Sequence, residues 1–83
     1  MDDLRHIDHV DQLKALANDD RRAILRVIMA RPATLTQLGE RFGKHPAWIR
    51  HHVMALERAG LASLVESRAT KGYVEKFYAA TAR

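Results

Sequence analysis

The chain has 83 residues, a hydrophobic fraction of 47%, a formal net charge of +4 and no cysteine. This is enough apolar content for one small core and unlike the composition of a disordered segment, while the missing thiols exclude disulfides, thiolate metal sites and a cysteine nucleophile. No apolar run approaches the ~20 residues of a membrane-spanning helix, and the acidic N-terminus MDDLRHIDHVD lacks the apolar centre of a signal peptide, so a cytoplasmic location without a membrane partner is expected.

The charge is unevenly divided. Residues 1–30 hold five Lys/Arg against six Asp/Glu, whereas residues 31–83 hold nine against four. A basic second half points to a polyanionic partner, because neutralising phosphate supplies most of the non-specific affinity for nucleic acid. A basic surface alone is also compatible with simple solubility.

In chain order, residues 1–7 read as a loose arm. His6 and His9, with Asp2, Asp3 and Asp8 nearby, have the spacing that puts two imidazoles on one helix face. Two terminal histidines fall well short of a metal motif, and no metal or cofactor is expected. A first helix is predicted from about Ile7 to Ala17, with Val10, Leu13, Leu16 and Ala17 on its inner face. Asn18, Asp19 and Asp20 break it and cap a second helix, Asp19 to Ala30, in which Ala23, Ile24, Val27 and Ile28 point inward and Leu25 and Met29 widen the stripe. Arg21 and Arg22 in its first turn read as surface ion-pairing groups. Arg31-Pro32 ends the helix, since proline disfavours helical geometry in the residue before it.

The segment from Thr34 to Leu61 carries the strongest signals. Thr34 and Gln37 form a capping box that starts a short helix at Leu35, and Gly43 after Phe42 suits the left-handed residue that closes it. Pro46 then takes the first position of a longer helix, where a missing N–H costs nothing, and that helix ends at Gly60. Ile49, Val53 and Leu56 form its buried stripe, with His52 on the flank, bonded to backbone at the core edge. Ala47, Arg50, His51, Met54 and Arg58 form the opposite face. Two helices joined by so tight a turn make a helix-turn-helix, and a small, basic outer face fits the major groove of DNA. Leu61 to Ser67 and Tyr73 to Ala79 read as strands joined by a five-residue basic tip, Arg68 to Gly72. The expected architecture is mainly α with a small β-hairpin: one winged helix-turn-helix domain over residues 1–83, with the helix-turn-helix at about 35–59 and the wing at about 61–79.

The runs LKALANDDRRAILRVI, LTQLGERFG, HPAWIRHHVMALERAGLA and KGYVEKFYAATA resemble the winged helix domain of ArsR-like transcriptional regulators over about Val10 to Ala82. The resemblance implies a DNA-binding regulator, usually a repressor, acting as a homodimer on a palindromic operator, with Pro46–Arg58 in the major groove and the Arg68–Lys71 tip at a neighbouring minor groove or backbone. The metal-sensing branch carries cysteines near the first helix of the pair, and this chain has none. The family also usually continues into a C-terminal dimerising helix, whereas this chain stops at Arg83 after the second wing strand, so either it is the DNA-binding portion of a longer protein, which is the favoured expectation, or dimerisation rests on the N-terminal helix.

Within this framework Arg50 and His51 are the leading base-reading candidates, with Ala47 allowing close approach and Met54 beside them. Thr34, Thr36, Gln37, Arg41 and Lys44 surround the first helix and the turn, where such domains hold phosphates. Thr34 also has a sufficient role as a cap. Trp48 and Arg58 are further backbone candidates, although a Trp at that place more often closes a core. Arg68 and Lys71 are the wing candidates, with Lys76 a lesser one. No phosphate-binding glycine loop, nucleophile elbow or acid pair is present, which argues against an enzyme. The competing reading is a winged helix used as a protein-interaction or dimerisation module; such modules tend to present an acidic or apolar recognition-helix face, and here Met54 favours that reading while Arg50, His51 and Arg58 oppose it.

Overall fold

The computed structural model describes residues 10–81. Helix α1 covers 10–16 of these, followed by α2 (Asp19–Ala30), α3 (Leu35–Phe42), α4 (Pro46–Arg58), and the antiparallel strands β1 (Ala62–Thr70) and β2 (Tyr73–Ala80). The N-terminal arm with His6 and His9 lies outside the described residues.

Local chemistry sets the helix boundaries. Asn18 caps α2 by accepting from the Arg21 N–H at 3.0 Å, with Asp19 and Asp20 in the first turn at the positive end of the helix dipole. Arg31 leaves the helix in extended geometry ahead of Pro32. At α3 the capping box is complete: the Gln37 N–H donates to Thr34 Oγ1 at 3.0 Å and the Thr34 N–H donates to Gln37 Oε1 at 2.9 Å. Such a cap is worth about 1 kcal/mol. Gly43 closes α3 in the left-handed region at φ 66°. Pro46 opens α4, whose N-cap is His45, its Nδ1 accepting from the Ala47 N–H at 3.0 Å.

The core forms where the inner faces of α2, α3 and α4 meet the base of the hairpin. Ile24, Ile28, Leu38, Ile49, Val53 and Leu56 are fully buried. The expected inner face of α1 behaves differently. Ala15 is buried, but Leu13 is 60% exposed, and Val10 and Ala17 are exposed as well. Met29 is also turned outward, at 66% exposure, because α2 meets the core through Ile24 and Ile28, and Met29 sits beyond that stripe.

The hairpin is longer than its residue types suggest. Its connection is the pair Lys71-Gly72, both with positive φ (45° and 87°), so that Thr70 pairs with Tyr73 and Arg68 with Glu75. Two left-handed central residues give the turn whose twist matches that of the flanking strands. The pairing therefore continues through Arg68, Ala69 and Thr70, residues expected to belong to a tip. Val65 is the extra residue of a bulge between Leu64 and Glu66. Ala33, in the link between α2 and α3, exchanges two backbone hydrogen bonds of 2.9 Å with Tyr78, which ties the entry to the helix-turn-helix onto β2.

The turn between α3 and α4 rests on Gly39. Its carbonyl accepts from the N–H groups of both Gly43 and Lys44, and a Cβ at this position would lie 2.6 Å from the Lys44 carbonyl oxygen. Gly39→Ala therefore opposes two effects: helix propensity favours Ala by about 1 kcal/mol, while the forced backbone shift costs about 1–3 kcal/mol. Urea unfolding is expected to show a net loss of stability; a gain would mean that α3 and α4 are not in close contact at this point.

Candidate nucleic-acid interface

Helix α4 presents one face to solvent because its opposite face is held in the core by Ile49, Val53 and Leu56. Ala47, Arg50 and His51 are exposed on the outer side. Among the described residues the Arg50 side chain has no hydrogen-bond or ion-pair partner. Met54 departs from expectation: it is half-buried and packs against the core, so only its rim reaches that face. Arg58 is exposed at the far end of α4, where it lines a small cleft with Asp11, Lys14 and Arg21.

Arg50 borders a groove of about 430 Å³ that runs between the N-terminal ends of α3 and α4 and strand β2. Thr36 and Pro46 form one side, and Tyr73, Glu75 and Lys76 the other. Lys76 is only a lesser candidate in the sequence and Glu75 is none, because the register that brings β2 beside α4 is not visible in composition. Thr34 lines the same groove with its backbone N–H and hydroxyl both engaged in the cap, and the residue is 6% exposed, so it acts here as a cap.

The remaining candidates divide. Gln37 and Arg41 are exposed but line a different cleft, shared with Val27, Arg31 and Phe77, and so do not join Thr36 and Arg50. Lys44 is exposed at the turn, with its ammonium 5.1 Å from the centre of the Trp48 ring. Trp48 is half-buried, packs on the core and meets His52 edge-on at 4.4 Å. Arg68 lies within β1, not at a tip. Its Nε donates to Glu66 at 2.6 Å, its guanidinium stacks on Phe77 at 4.7 Å, and the bond to Glu66 raises its pKa further. Lys71 is left as the exposed cation of the turn. Among the described residues no group of three or more His, Cys, Asp or Glu side chains could hold a metal ion, and no helix is long and apolar enough to cross a membrane.

His52 is buried, and its Nδ1 accepts from the side-chain Nε of Arg21 at 3.1 Å rather than bonding to backbone. Arg21 therefore joins α2 to α4, while Arg22 makes the expected surface ion pair, with Asp19. A residue pair 31 positions apart leaves no trace in local sequence pattern.

The tight-turned helix pair, the outward face of its second helix and the flanking hairpin together define a winged helix-turn-helix domain. The chain belongs to the helix-turn-helix domain family, which matches residues 16–65. No curated protein matches it in sequence. Among solved structures it is similar to reduced HlyU of Vibrio cholerae, with 24% identity, a TM-score of 0.71, and coverage of 96% of this chain and 79% of that one. The transcriptional regulator HlyU of Vibrio vulnificus gives 21% identity and a TM-score of 0.69, covering 96% and 78%. Mb0332 of Mycobacterium bovis, a possible ArsR-family regulator described as a homodimeric winged helix-turn-helix DNA-binding domain, gives 20% and 0.77, covering 95% and 68%. These similarities establish the fold that the ArsR-like sequence runs imply.

Burial first, then the charges of Arg21 and His51, lowers the His52 pKa from its ordinary 6.5, with Asp20 opposing them. The folded state thus takes up this proton less readily than the unfolded chain, and the protonated ring cannot accept from Arg21. Stability should be fullest above pH 6.5 and fall as the pH drops through and below that value. His52→Gln, which keeps an acceptor but does not titrate, is expected to flatten the decline in Tm between about pH 7.5 and 5.5. An identical slope in both proteins would remove His52 from this role.

Proposed function

We propose that this domain is a transcriptional regulator that reads double-stranded DNA with α4 in the major groove and acts as a repressor. The observation that carries the reading is the outer face of α4, where Ala47, Arg50 and His51 are exposed on a helix fixed by its buried stripe, beside a groove flanked by the wing. Arg50 offers the bidentate donor pair that matches guanine O6 and N7, His51 a further donor, and Ala47 close approach or a thymine methyl contact, with the rim of Met54 adding apolar surface. Thr36 near the positive N-terminus of α3, Lys44 at the turn, and Lys71 and Lys76 on the wing supply phosphate contacts that orient the domain. Trp48 and Arg58 extend this set at its margins, whereas Gln37 lies in the cleft shared with Val27 and Arg41.

The domain binds as a homodimer, which would place two α4 helices on the halves of a palindromic site. The homodimeric state of Mb0332 and the exposed apolar side chains of α1, Leu13 above all, support this. The reading extends to a non-enzymatic protein of the cytoplasm. The basic outer face of α4 favours DNA over the alternative of a protein-interaction module built on the same helix.

The roles of Arg50 and Lys71 separate in fluorescence anisotropy with a selected duplex and a random one. Arg50→Ala is expected to cost about 1–3 kcal/mol on the selected duplex and little on the random one. Lys71→Ala should weaken both alike and lower the salt slope by about 1. Equal weakening of both duplexes by Arg50→Ala would contradict base reading.

A further inference from the structure

On the side of the domain bearing α2 and the outer flank of α3 runs a second groove, made of two adjoining clefts of about 400 and 450 Å³ that share Val27, Arg31 and Arg41. Its apolar floor includes Val27, Phe42 and Phe77, each half-buried, and its rim carries the exposed guanidinium groups of Arg26, Arg31 and Arg41. No Asp or Glu lines either cleft, and among the described residues none of the three arginine side chains has a hydrogen-bond or ion-pair partner. None of the residues lining this groove lines the one that contains Arg50.

Three like charges gathered around an apolar floor repel one another and gain from a partner that brings the opposite sign. We propose that this groove docks an acidic amphipathic segment of a partner protein, with bulky apolar side chains on the Val27–Phe42–Phe77 floor and carboxylates on Arg26, Arg31 and Arg41. Three guanidinium groups offer more donors than one carboxylate can engage. Arg26 lies within α2 and Arg31 five residues on, in extended geometry at its cap. Carboxylates on successive turns of one peptide can each meet a different arginine of the rim. Arginine also forms the bidentate pairs with carboxylate that make such a rim selective. A DNA backbone has matching charge but no apolar side chains to cover the floor. The surface is separate from the α4 face, so the inference does not depend on DNA reading, and a partner held here would leave Arg50 accessible.

The test is a two-dimensional NMR titration of the whole chain with a synthetic peptide of about four helical turns, bearing Glu on successive turns beside a Leu/Phe stripe. A peptide with Lys in place of Glu and a short DNA duplex are titrated in parallel. Saturable shifts are expected at Val27, Arg31, Arg41, Phe42 and Phe77 with the acidic peptide and not with the Lys peptide. The double variant Arg31→Glu/Arg41→Glu should bind the acidic peptide at least about tenfold more weakly. Both sites are exposed, and an unchanged thermal transition and undiminished peptide-free spectrum verify that the variant is folded. The proposal is overturned if the acidic peptide does not saturate, if its shifts fall on α4 and the wing, if the variant binds it as well as the parent, or if the duplex shifts Arg31 and Arg41 as it shifts Arg50.

Discussion

The structure turns on a backbone contact five residues long. The Gly39 carbonyl accepts from Gly43 and Lys44, and the absence of a side chain at Gly39 lets the Lys44 carbonyl approach where a Cβ would collide with it. This contact, together with the left-handed Gly43, fixes the direction in which α4 leaves α3. The direction of α4 in turn decides which of its faces is buried. With Ile49, Val53 and Leu56 in the core, Arg50 and His51 face solvent and Thr36 of α3 shares a groove with Arg50. A surface built this way inherits its rigidity from the core.

The helix-turn-helix was legible because its signals are local. A capping box spans three residues, a terminating glycine acts at its own φ, and proline declares the first turn of a helix; α2, α3 and α4 accordingly begin and end within a residue or two of expectation. The wing was legible in kind and not in extent. Nothing in Arg68-Ala69-Thr70 distinguishes strand from turn until Lys71 and Gly72 adopt positive φ together and carry the pairing on. Long-range partners were not legible at all. The Arg21–His52 bond, the Ala33–Tyr78 bridge and the approach of Lys76 to the Arg50 groove depend on how elements pack. For α1 the helical period was right and the inference from it failed, because an apolar stripe announces burial without saying whether the same core provides it.

The packing sorts the positive charge that the sequence shows only as a total. Arg21, Arg22 and Arg68 are engaged by His52, Asp19 and Glu66. Arg50 and Lys76 border one groove, and Arg26, Arg31 and Arg41 border another. A net charge alone would attract any polyanion; the same charges fixed in two separate arrays, one beside an exposed helix face and one around an apolar floor, suit partners of different shape. Arg41 illustrates the difference. Its place after the capping box suggested a phosphate contact, yet its flank of α3 turns toward α2, away from Thr36 and Arg50.

The proposed reading of DNA sequence through α4 is open to direct test. The most direct measurement is selection of bound duplexes from a random pool, at low and at physiological salt, followed by sequencing of what is retained. If α4 reads bases, a defined motif is enriched and survives the higher salt, arranged as a palindrome if two copies bind together. Retention that collapses with salt and enriches no motif would contradict it, leaving a basic surface that holds phosphate without reading bases.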